Sequence, residues 1–222
     1  ADELIVTISP VVIGGRDASS NSAVIRKHMT EDDIVFHAEI HGSPFFLIKN
    51  ARNQDNENTN LIEETAQATV SFSRAWKDGL SSGDAYWVFP NQVKKGAPTG
   101  QFLPKGSFVI EGKRNFCKGI ELKLSIGLVK IENRYTIVSG PLNAIKKRSL
   151  VFASLLPGGS DPMNLAKKIK SEFVRVISEF DSDLADYLKK VLLDDFIRML
   201  PTGQSKIEHI ERGQSVNDVK IG

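Results

Sequence analysis

Three side chains that can bind metals or transfer protons lie within five positions of each other: His37, Glu39 and His41. On a helix, two histidines four positions apart share a face and can ligate zinc. The residues around them instead predict a strand that runs into a His-Gly-Ser-Pro turn, and no cysteine lies nearby. We therefore favour a structural or ligand-contacting histidine pair. A metal-dependent hydrolase or nuclease that uses these three residues is kept as an alternative.

The other polar residues do not form a catalytic group. Ser43 lies in a turn, whereas the nucleophile of many hydrolases stands on a strand-turn-helix elbow. The carboxylate pairs Asp32-Asp33 and Glu63-Glu64 fit helix starts or solvated charges better than they fit Mg²⁺ ligands. We therefore predict no enzyme activity, no bound metal and no cofactor.

A glycine turn, Gly14-Gly15-Arg16-Asp17, comes directly before a predicted helix. Backbone N–H groups at such a position can receive phosphate, and the guanidinium of Arg16 can add a bidentate contact. The nucleotide-binding pattern GxxxxGK[ST] is absent from the sequence. A tight strand-to-helix turn with an Arg–Asp pair explains the same residues equally well, so both interpretations stay open.

The middle of the sequence is strongly basic, although the whole chain has a net charge of only +2. Residues 90–150 contain 12 basic and 3 acidic side chains, which indicates an anionic partner on one face. The basic residues that alternate with aromatic ones are Lys94, Lys95, Lys105, Lys113, Arg114 and Lys118. The aromatic residues are Tyr86, Trp87, Phe89, Phe102, Phe108 and Phe116.

Cations beside aromatic rings are typical of nucleic-acid surfaces, where charge contacts phosphate and rings stack on bases. The alternative is that the rings belong to the core of a sheet and the lysines to its solvated edge. For Tyr86, Phe89 and Phe108, which lie in strand-like runs, we favour the core. For the lysines and Arg114 we favour contact with phosphate.

The composition excludes several classes of protein. The single cysteine, Cys117, excludes an intramolecular disulfide framework and fits a reducing compartment. No apolar run reaches the roughly 18 residues of a membrane span. The first residues are acidic, whereas a secretory signal begins with basic residues. We therefore predict a cytoplasmic protein without membrane contact.

The order of the elements predicts an α+β fold, with a mixed sheet packed against helices and two small domains. We place the boundary near residue 115, which gives domains 1–115 and 116–222. The second domain is expected to end in two helices, followed by a frayed polar tail after residue 202. The predicted helices are 18–29, 61–78, 142–148, 162–180 and 184–200. Asp17, Asn60 and Asp161 are the predicted caps of the first, second and fourth of these helices. The predicted strands that surround the candidate residues are 34–40, 45–49 and 85–89.

Three runs of the sequence resemble one known family. The runs Gly14–Asn50, Glu63–Leu80 and Tyr86–Asn115 are similar, in this order, to the NFACT-R domain of NFACT proteins. The pattern most resembles archaeal members, which are similar to the eukaryotic nuclear export mediator factor. Residues 130–175 resemble the carboxyl-terminal domain of the same family through NRYTIVSGP, LLPGG and LAKKIK.

The resemblance implies a function in ribosome-associated quality control. Members of the family bind stalled large ribosomal subunits and recruit tRNA for the addition of an untemplated tail. The resemblance therefore implies a non-enzymatic module that binds RNA and ribosomes. Its expected partners are tRNA, the large ribosomal subunit and the glycosylase-like domain and coiled coil of a full-length NFACT protein. A homodimer is left open, and so is a module that binds DNA.

The residues and the resemblance together define a candidate nucleic-acid site. Asn21 enters it through the resemblance alone, while the histidines and Asn91-Gln92 would offer hydrogen bonds or stacking. The basic residues and the glycine turn would contact phosphate. The complete set is Gly14, Gly15, Arg16, Asn21, His37, His41, Asn91, Gln92, Lys94, Lys95, Lys105, Lys113 and Arg114.

Overall fold

The computed structural model describes residues 4–7, 11–15, 17–40, 42–51, 59–96, 104 and 106–215. The chain divides into two compact units, an amino-terminal unit of residues 1–75 with 82–121, and a carboxyl-terminal unit of residues 76–81 with 122–222. The predicted boundary at 115 falls on the first residue of a strand, Asn115–Glu121, that belongs wholly to the amino-terminal unit.

The amino-terminal unit is built around a six-stranded sheet with the order β1-β2-β4-β3-β5-β8. Its strands are β1 (Leu4–Thr7), β2 (Val11–Gly14), β3 (Ile34–Ala38), β4 (Phe46–Ile48), β5 (Ser82–Val88) and β8 (Asn115–Glu121). The part of the sequence between β5 and β8 contains β6 (Val93–Lys94) and β7 (Val109–Ile110), which form a separate two-stranded sheet.

The α+β class is confirmed, but the mixed sheet is not found. Every strand pair that the structure describes is antiparallel. Antiparallel neighbours can be joined by a short turn, whereas parallel neighbours need a crossover of a dozen residues or more. Strands β3 and β4 illustrate this difference, because only residues 39–45 connect them.

Helix α1 (Ala18–Ala23) begins where the sequence predicts. The side chain of Asp17 accepts a hydrogen bond from the Ser20 N–H at 2.7 Å, and the Ser20 hydroxyl accepts one from the Asp17 N–H at 3.0 Å. This capping box satisfies two of the free amide groups at the helix start. The helix continues as a wider π-helical turn, Val24–His28, rather than as the predicted α-helix.

The two faces of the six-stranded sheet have different coverings. Helix α2 (Thr59–Ser71) contacts β5, β8 and β3, and the Phe72 ring that follows it stacks on Phe46. The opposite face carries a core cluster in which the π-helical turn packs against strands β3 to β6. The buried residues of this cluster are Val24, Ile25, Val35, Phe45, Leu47, Tyr86, Val88 and Val93.

The predicted helix 61–78 is two helices, α2 and the short α3 (Arg74–Lys77). The Ser73 hydroxyl donates to the Val70 carbonyl at 2.6 Å and accepts from the Ala75 N–H at 3.2 Å, so it competes with the helical hydrogen bonds at this point. Asn60 lies inside α2 and does not cap it, because the helix begins at Thr59.

The carboxyl-terminal unit contains a four-stranded sheet with the order β10-β9-β11-β12. Its strands are β9 (Leu124–Ile131), β10 (Arg134–Gly140), β11 (Ser149–Ser160) and β12 (Ser205–Arg212). Strand β12 occupies the predicted frayed tail, where it pairs with β11. The unit therefore does not end on the two predicted helices.

The helices of this unit are α4 (Leu142–Arg148), α5 (Pro162–Ser178), α6 (Ser182–Lys190) and α7 (Leu193–Ile197). The Asp161 carboxylate caps α5 by accepting hydrogen bonds from the Met163 and Asn164 amides, which confirms the predicted cap. The predicted helix 184–200 is interrupted, since α6 and α7 are separate. Within the described residues, no helix is both long and apolar enough to cross a membrane.

Candidate nucleic-acid interface

A continuous row of rings crosses one face of the amino-terminal unit. The rings of this aromatic row are, in order, Phe108, Phe45, His37, Tyr86 and Phe116. Their centroids are 5.6 Å apart for the first pair, 4.1 Å for the stacked Phe45–His37 pair, then 6.1 Å and 5.6 Å. Edge-to-face and stacked arrangements at these distances are favourable, so the row has a defined geometry.

Strand register places the last rings of the row. His37 on β3 is paired with Tyr86 on β5, and Tyr86 is paired with Phe116 on β8. Cross-strand partners project from the same face of a sheet. The Phe116 end of the row is open to solvent, because Tyr86 is only 3% exposed whereas Phe116 is 48% exposed. Burial raises the pKa of Tyr86 to about 12, so its hydroxyl stays protonated near neutral pH.

Two arginines lie over rings of the row. The Arg26 guanidinium is 5.4 Å from the Phe108 centroid, and that of Arg114 is 4.8 Å from the Tyr86 centroid. Such cation–π contacts orient the guanidinium groups without neutralising them. Arg26 also donates from Nη2 to the Lys95 carbonyl at 2.9 Å, and Arg114 forms an ion pair with Glu39.

Arg26 is absent from the residues that the sequence identified. It lies in the basic run Arg26-Lys27-His28 outside the basic middle of the chain. The π-helical turn places Arg26 beside the aromatic row, and the sequence did not indicate this placement. That basic run, near the end of the predicted helix 18–29, was the available signal.

The side chain of Gln92 is used inside the protein. Its Oε1 accepts from the Phe89 N–H at 3.0 Å, and its Nε2 donates to the carbonyls of Glu111 and Lys113 at 2.8 and 2.9 Å. These bonds hold the segment that carries Lys113 and Arg114. Gln92 therefore positions the basic residues, whereas the sequence assigned it a hydrogen bond to the ligand.

The predicted lysines differ in how open they are. Lys94 is exposed but lies 3.6 Å from the Glu111 carboxylate and donates to the Asn91 carbonyl at 3.2 Å. Lys95 and Lys113 are exposed, and their ammonium groups have no partner within the part of the chain that the structure describes. Asn91 is exposed beside Lys94. The charges of Lys95 and Lys113 are thus more open to a ligand than that of Lys94.

An open groove of about 430 Å³ lies beside Lys95. Its lining combines apolar with polar side chains and one lysine. The residues are Met29, Thr30, Glu31, Pro90, Asn91, Val93 and Lys95. This concavity brings the end of the π-helical turn next to the start of the basic stretch.

The structure does not present the glycine turn as an open phosphate cradle. The Gly15 N–H donates to the Phe45 carbonyl at 3.0 Å, so this amide is already used. A Cβ atom on Gly14 would overlap the buried Phe46 ring, and one on Gly15 would overlap Asn21. Both glycines are buried, and close packing explains them.

Asn21 serves the same packing arrangement. Its Oδ1 accepts from the Phe45 N–H at 3.0 Å, and its Nδ2 donates to the Ser43 carbonyl at 3.5 Å. Asn21 is 9% exposed, so its amide holds the segment before β4 and is not directed to a ligand. Arg16, the predicted anion contact of this turn, lies outside the described residues.

His37 is a structural ring and not a cation. Its Nδ1 lies 3.1 Å from the Pro44 carbonyl oxygen, which requires the proton on Nδ1. Burial lowers the pKa of His37, against the opposing effect of this hydrogen bond, and the charge of Arg114 lowers it further. His37 is therefore neutral at pH 7 and does not form an ion pair with phosphate.

The residues of the hydrolase alternative are not assembled into a catalytic group among the described positions. Glu39 is paired with Arg114, and the Ser43 hydroxyl is buried and accepts from the Ala38 N–H at 3.1 Å. No cluster of three His, Cys, Asp or Glu side chains in the described ranges could hold a metal ion. His41 and Lys105 lie outside these ranges.

The family follows from comparison with known proteins. Residues 6–112 match the sequence profile described as "NFACT protein RNA binding domain". The chain belongs to the NFACT family. The matched range contains the whole aromatic row except Phe116, and it contains Arg26, Gln92 and Lys95.

Similarity to individual proteins continues beyond the residues that match the profile. The archaeal Rqc2 homolog aRqcH of Methanocaldococcus jannaschii is 35% identical over 197 residues, which are 89% of this chain and 27% of that protein. The ribosome quality control complex subunit NEMF homolog of Drosophila melanogaster is 33% identical over 93% of this chain and 20% of its own length. Human NEMF is 40% identical over 48% of this chain and 10% of its own length.

The chain thus spans about a quarter or less of the length of these relatives. The carboxyl-terminal part of the fibronectin/fibrinogen-binding protein of Streptococcus suis is a weaker match, with a TM-score of 0.41 and 16% identity over 50% of this chain and 41% of that one. The Drosophila and human relatives are named as ribosome quality control complex subunits.

Proposed function

We propose that the amino-terminal unit binds RNA through a basic surface made of Arg26, Lys95, Lys113 and Arg114 around the aromatic row. The observation that supports this most strongly is the pair of exposed lysines, Lys95 and Lys113. Their ammonium groups have no partner among the described residues, and they lie beside two arginines that rings hold in place. Charges in this state attract phosphate, because no internal carboxylate has to be displaced from the lysines.

The four cations form one surface because contacts link them. Arg26 contacts both the Phe108 ring and the Lys95 carbonyl. The Gln92 side chain bonds both the Phe89 N–H and the Lys113 carbonyl. Arg114 follows Lys113 directly and covers the Tyr86 ring. Asn91 lines the groove and accepts a hydrogen bond from Lys94, so both residues would extend the same surface.

The ligand that we propose is tRNA or ribosomal RNA on stalled large ribosomal subunits. The support is the family, since the Drosophila and human relatives are named as ribosome quality control complex subunits. The rest of a full-length NFACT protein would be the covalent partner of this chain, and the cytoplasm its place of action. In this proposal the chain positions RNA and does no chemistry itself.

A pair of double charge reversals tests the proposal. Lys95→Glu/Lys113→Glu should weaken binding to bulk tRNA by roughly tenfold or more at about 0.1 M salt, because two phosphate contacts become repulsive. Lys167→Glu/Lys168→Glu on α5 of the other unit changes the net charge equally and should leave most of the affinity. Fluorescence anisotropy with labelled tRNA measures both variants.

The same assay separates the alternatives. Equal losses in the two double variants would contradict a site on the amino-terminal unit and indicate nonspecific attraction. Binding to an RNA duplex and to a DNA duplex of the same sequence tests which polymer is preferred, because a protein that contacts the 2′-hydroxyl prefers RNA. Equal affinity for both duplexes would support the alternative of a general nucleic-acid module.

A further inference from the structure

Phe116 is an unusual residue for its position. It is the only large hydrophobic side chain of the amino-terminal unit that is strongly exposed among the described residues, at 48%. The ring is held, since its centroid lies 5.6 Å from that of the buried Tyr86. One side of an ordered ring therefore faces solvent at the end of the aromatic row.

The surroundings of Phe116 are basic. Arg114 lies over the adjacent Tyr86 ring, and Lys118 follows two positions along β8 and is exposed. Strand β8 has a bulge at this point, between the pairs Ala85–Cys117 and Gly83–Ile120, and the backbone of Lys118 lies within about 7 Å of that of Phe116. A protein partner that docks on an exposed apolar ring does not require cations around that ring. A nucleotide would use both features, because it has a flat base and a phosphate.

We propose that Phe116 stacks on an unpaired base of the bound RNA, with Lys113, Arg114 and Lys118 around it on the neighbouring phosphates. The preferred ligand is therefore RNA with a single-stranded loop or end, not a continuous duplex. This inference rests on the proposed RNA binding and specifies the kind of RNA.

The physical reason is the geometry of a sheet surface. Aromatic side chains on strands reach the π-face of a base only when the base has left its own stack. Within a duplex, the bases are covered by their neighbours, and only phosphates and groove edges are available. Stacking on an aromatic residue tolerates any base, so the site selects for unpaired structure and not for sequence.

Two labelled RNAs of equal phosphate number test this inference, one a hairpin with a loop of several unpaired nucleotides and the other a blunt duplex. Phe116→Ala should lower affinity for the loop RNA by about 5- to 150-fold. The duplex affinity and the salt dependence should stay unchanged, since no charge is altered. Leu80→Ala removes a side chain that is equally exposed, at 48%, and serves as the matched control.

Phe116→Trp supplies an independent readout. The larger ring should retain binding to the loop RNA, and its emission should be quenched when a base stacks on it. The unchanged chain gives the background from its own Trp76 and Trp87.

The outcomes distinguish this inference from the proposed function. If the unchanged chain binds both RNAs and Phe116→Ala binds them equally well, the stacking proposal is wrong and RNA binding stands. Equal losses for loop and duplex RNA would also overturn it, because a general disturbance does not select unpaired bases. If the unchanged chain binds neither RNA, the proposed function fails and the stacking proposal fails with it.

Discussion

The glycine turn and the basic surface give the same kind of signal in the sequence, but they are different in the structure. Both combine glycine or polar backbone with cations and predict contact with phosphate. In the turn, the Gly15 amide is already bonded to Phe45, and the space that a ligand would need is filled by Phe46 and Asn21. On the basic surface, Lys95 and Lys113 remain exposed.

This difference shows what a glycine pair before a helix cap does and does not indicate. The absence of side chains permits close approach, but the approaching group can be the protein's own core ring as well as a phosphate. Cations are more informative where the contacts around them leave the ammonium groups free. The predictions below break or sharpen this contrast.

The largest expected effect concerns the packed turn. Gly14→Ala should lower the free energy of unfolding by about 3 kcal/mol, because the new Cβ overlaps the buried Phe46 ring. Gly96→Ala is the matched control on the basic side, since a Cβ there meets no atom within 4 Å. Its effect should stay within about 0.5 kcal/mol. Urea unfolding measures both, and similar values would remove the contrast between the two regions.

The Gln92 side chain is expected to give the next largest effect. Gln92→Ala removes three hydrogen bonds and should cost about 1–3 kcal/mol of unfolding free energy. Gln92→Glu keeps the acceptor for Phe89 but turns a carboxylate towards the Glu111 and Lys113 carbonyls, so it should not restore stability near neutral pH. Denaturant titration compares the two variants. If both are as stable as the unchanged chain, Gln92 does not hold the basic segment.

A smaller effect is expected at the ion pair of Glu39 with Arg114. Glu39→Gln releases the guanidinium for phosphate and should strengthen RNA binding by up to about fivefold, within the range of exposed ion pairs. Glu121→Gln, at the far end of β8, makes the same charge change without releasing a cation. Anisotropy should show a larger gain for the first variant; an equal gain would mean that only net charge matters.

The smallest effect concerns the pH dependence of stability through His37. Its lowered pKa means that, below its ordinary value of 6.5, the unfolded chain binds protons that the folded chain does not. Stability from this group is therefore complete above pH 6.5 and decreases as the pH falls below it. His37→Phe keeps a ring on Phe45 but cannot titrate, so its unfolding free energy should fall less steeply with acidification. Parallel curves for both proteins would contradict this role.

The sequence predicted those features that depend on neighbouring residues. The caps at Asp17 and Asp161 and the α+β class are confirmed, because each follows from local hydrogen bonding or from hydrophobic periodicity. The break after α2 was missed because the Ser73 hydroxyl overrides an unbroken helical pattern. Strand β12 was missed because its polar sequence becomes a strand only by pairing with β11.

The residues of the RNA site stay a prediction, but the structure shows contacts among them that the sequence did not indicate. The side chains of Gln92, Asn21 and His37 bond to partners up to 24 positions away. No local pattern reveals such partners. Arg26 was missed for the same reason, since it joins the row through Phe108, far along the chain.

The central claim is that the amino-terminal unit presents an open basic surface for RNA, and a salt series with labelled tRNA tests it most directly. Five phosphate contacts, from Arg26, Lys94, Lys95, Lys113 and Arg114, predict that log K falls with log salt at a slope of roughly −3.5 to −4.5. In Lys95→Glu/Lys113→Glu the slope should become shallower by roughly 1.4 to 1.8. Absence of binding at low salt, or a slope that the double variant leaves unchanged, would contradict the claim.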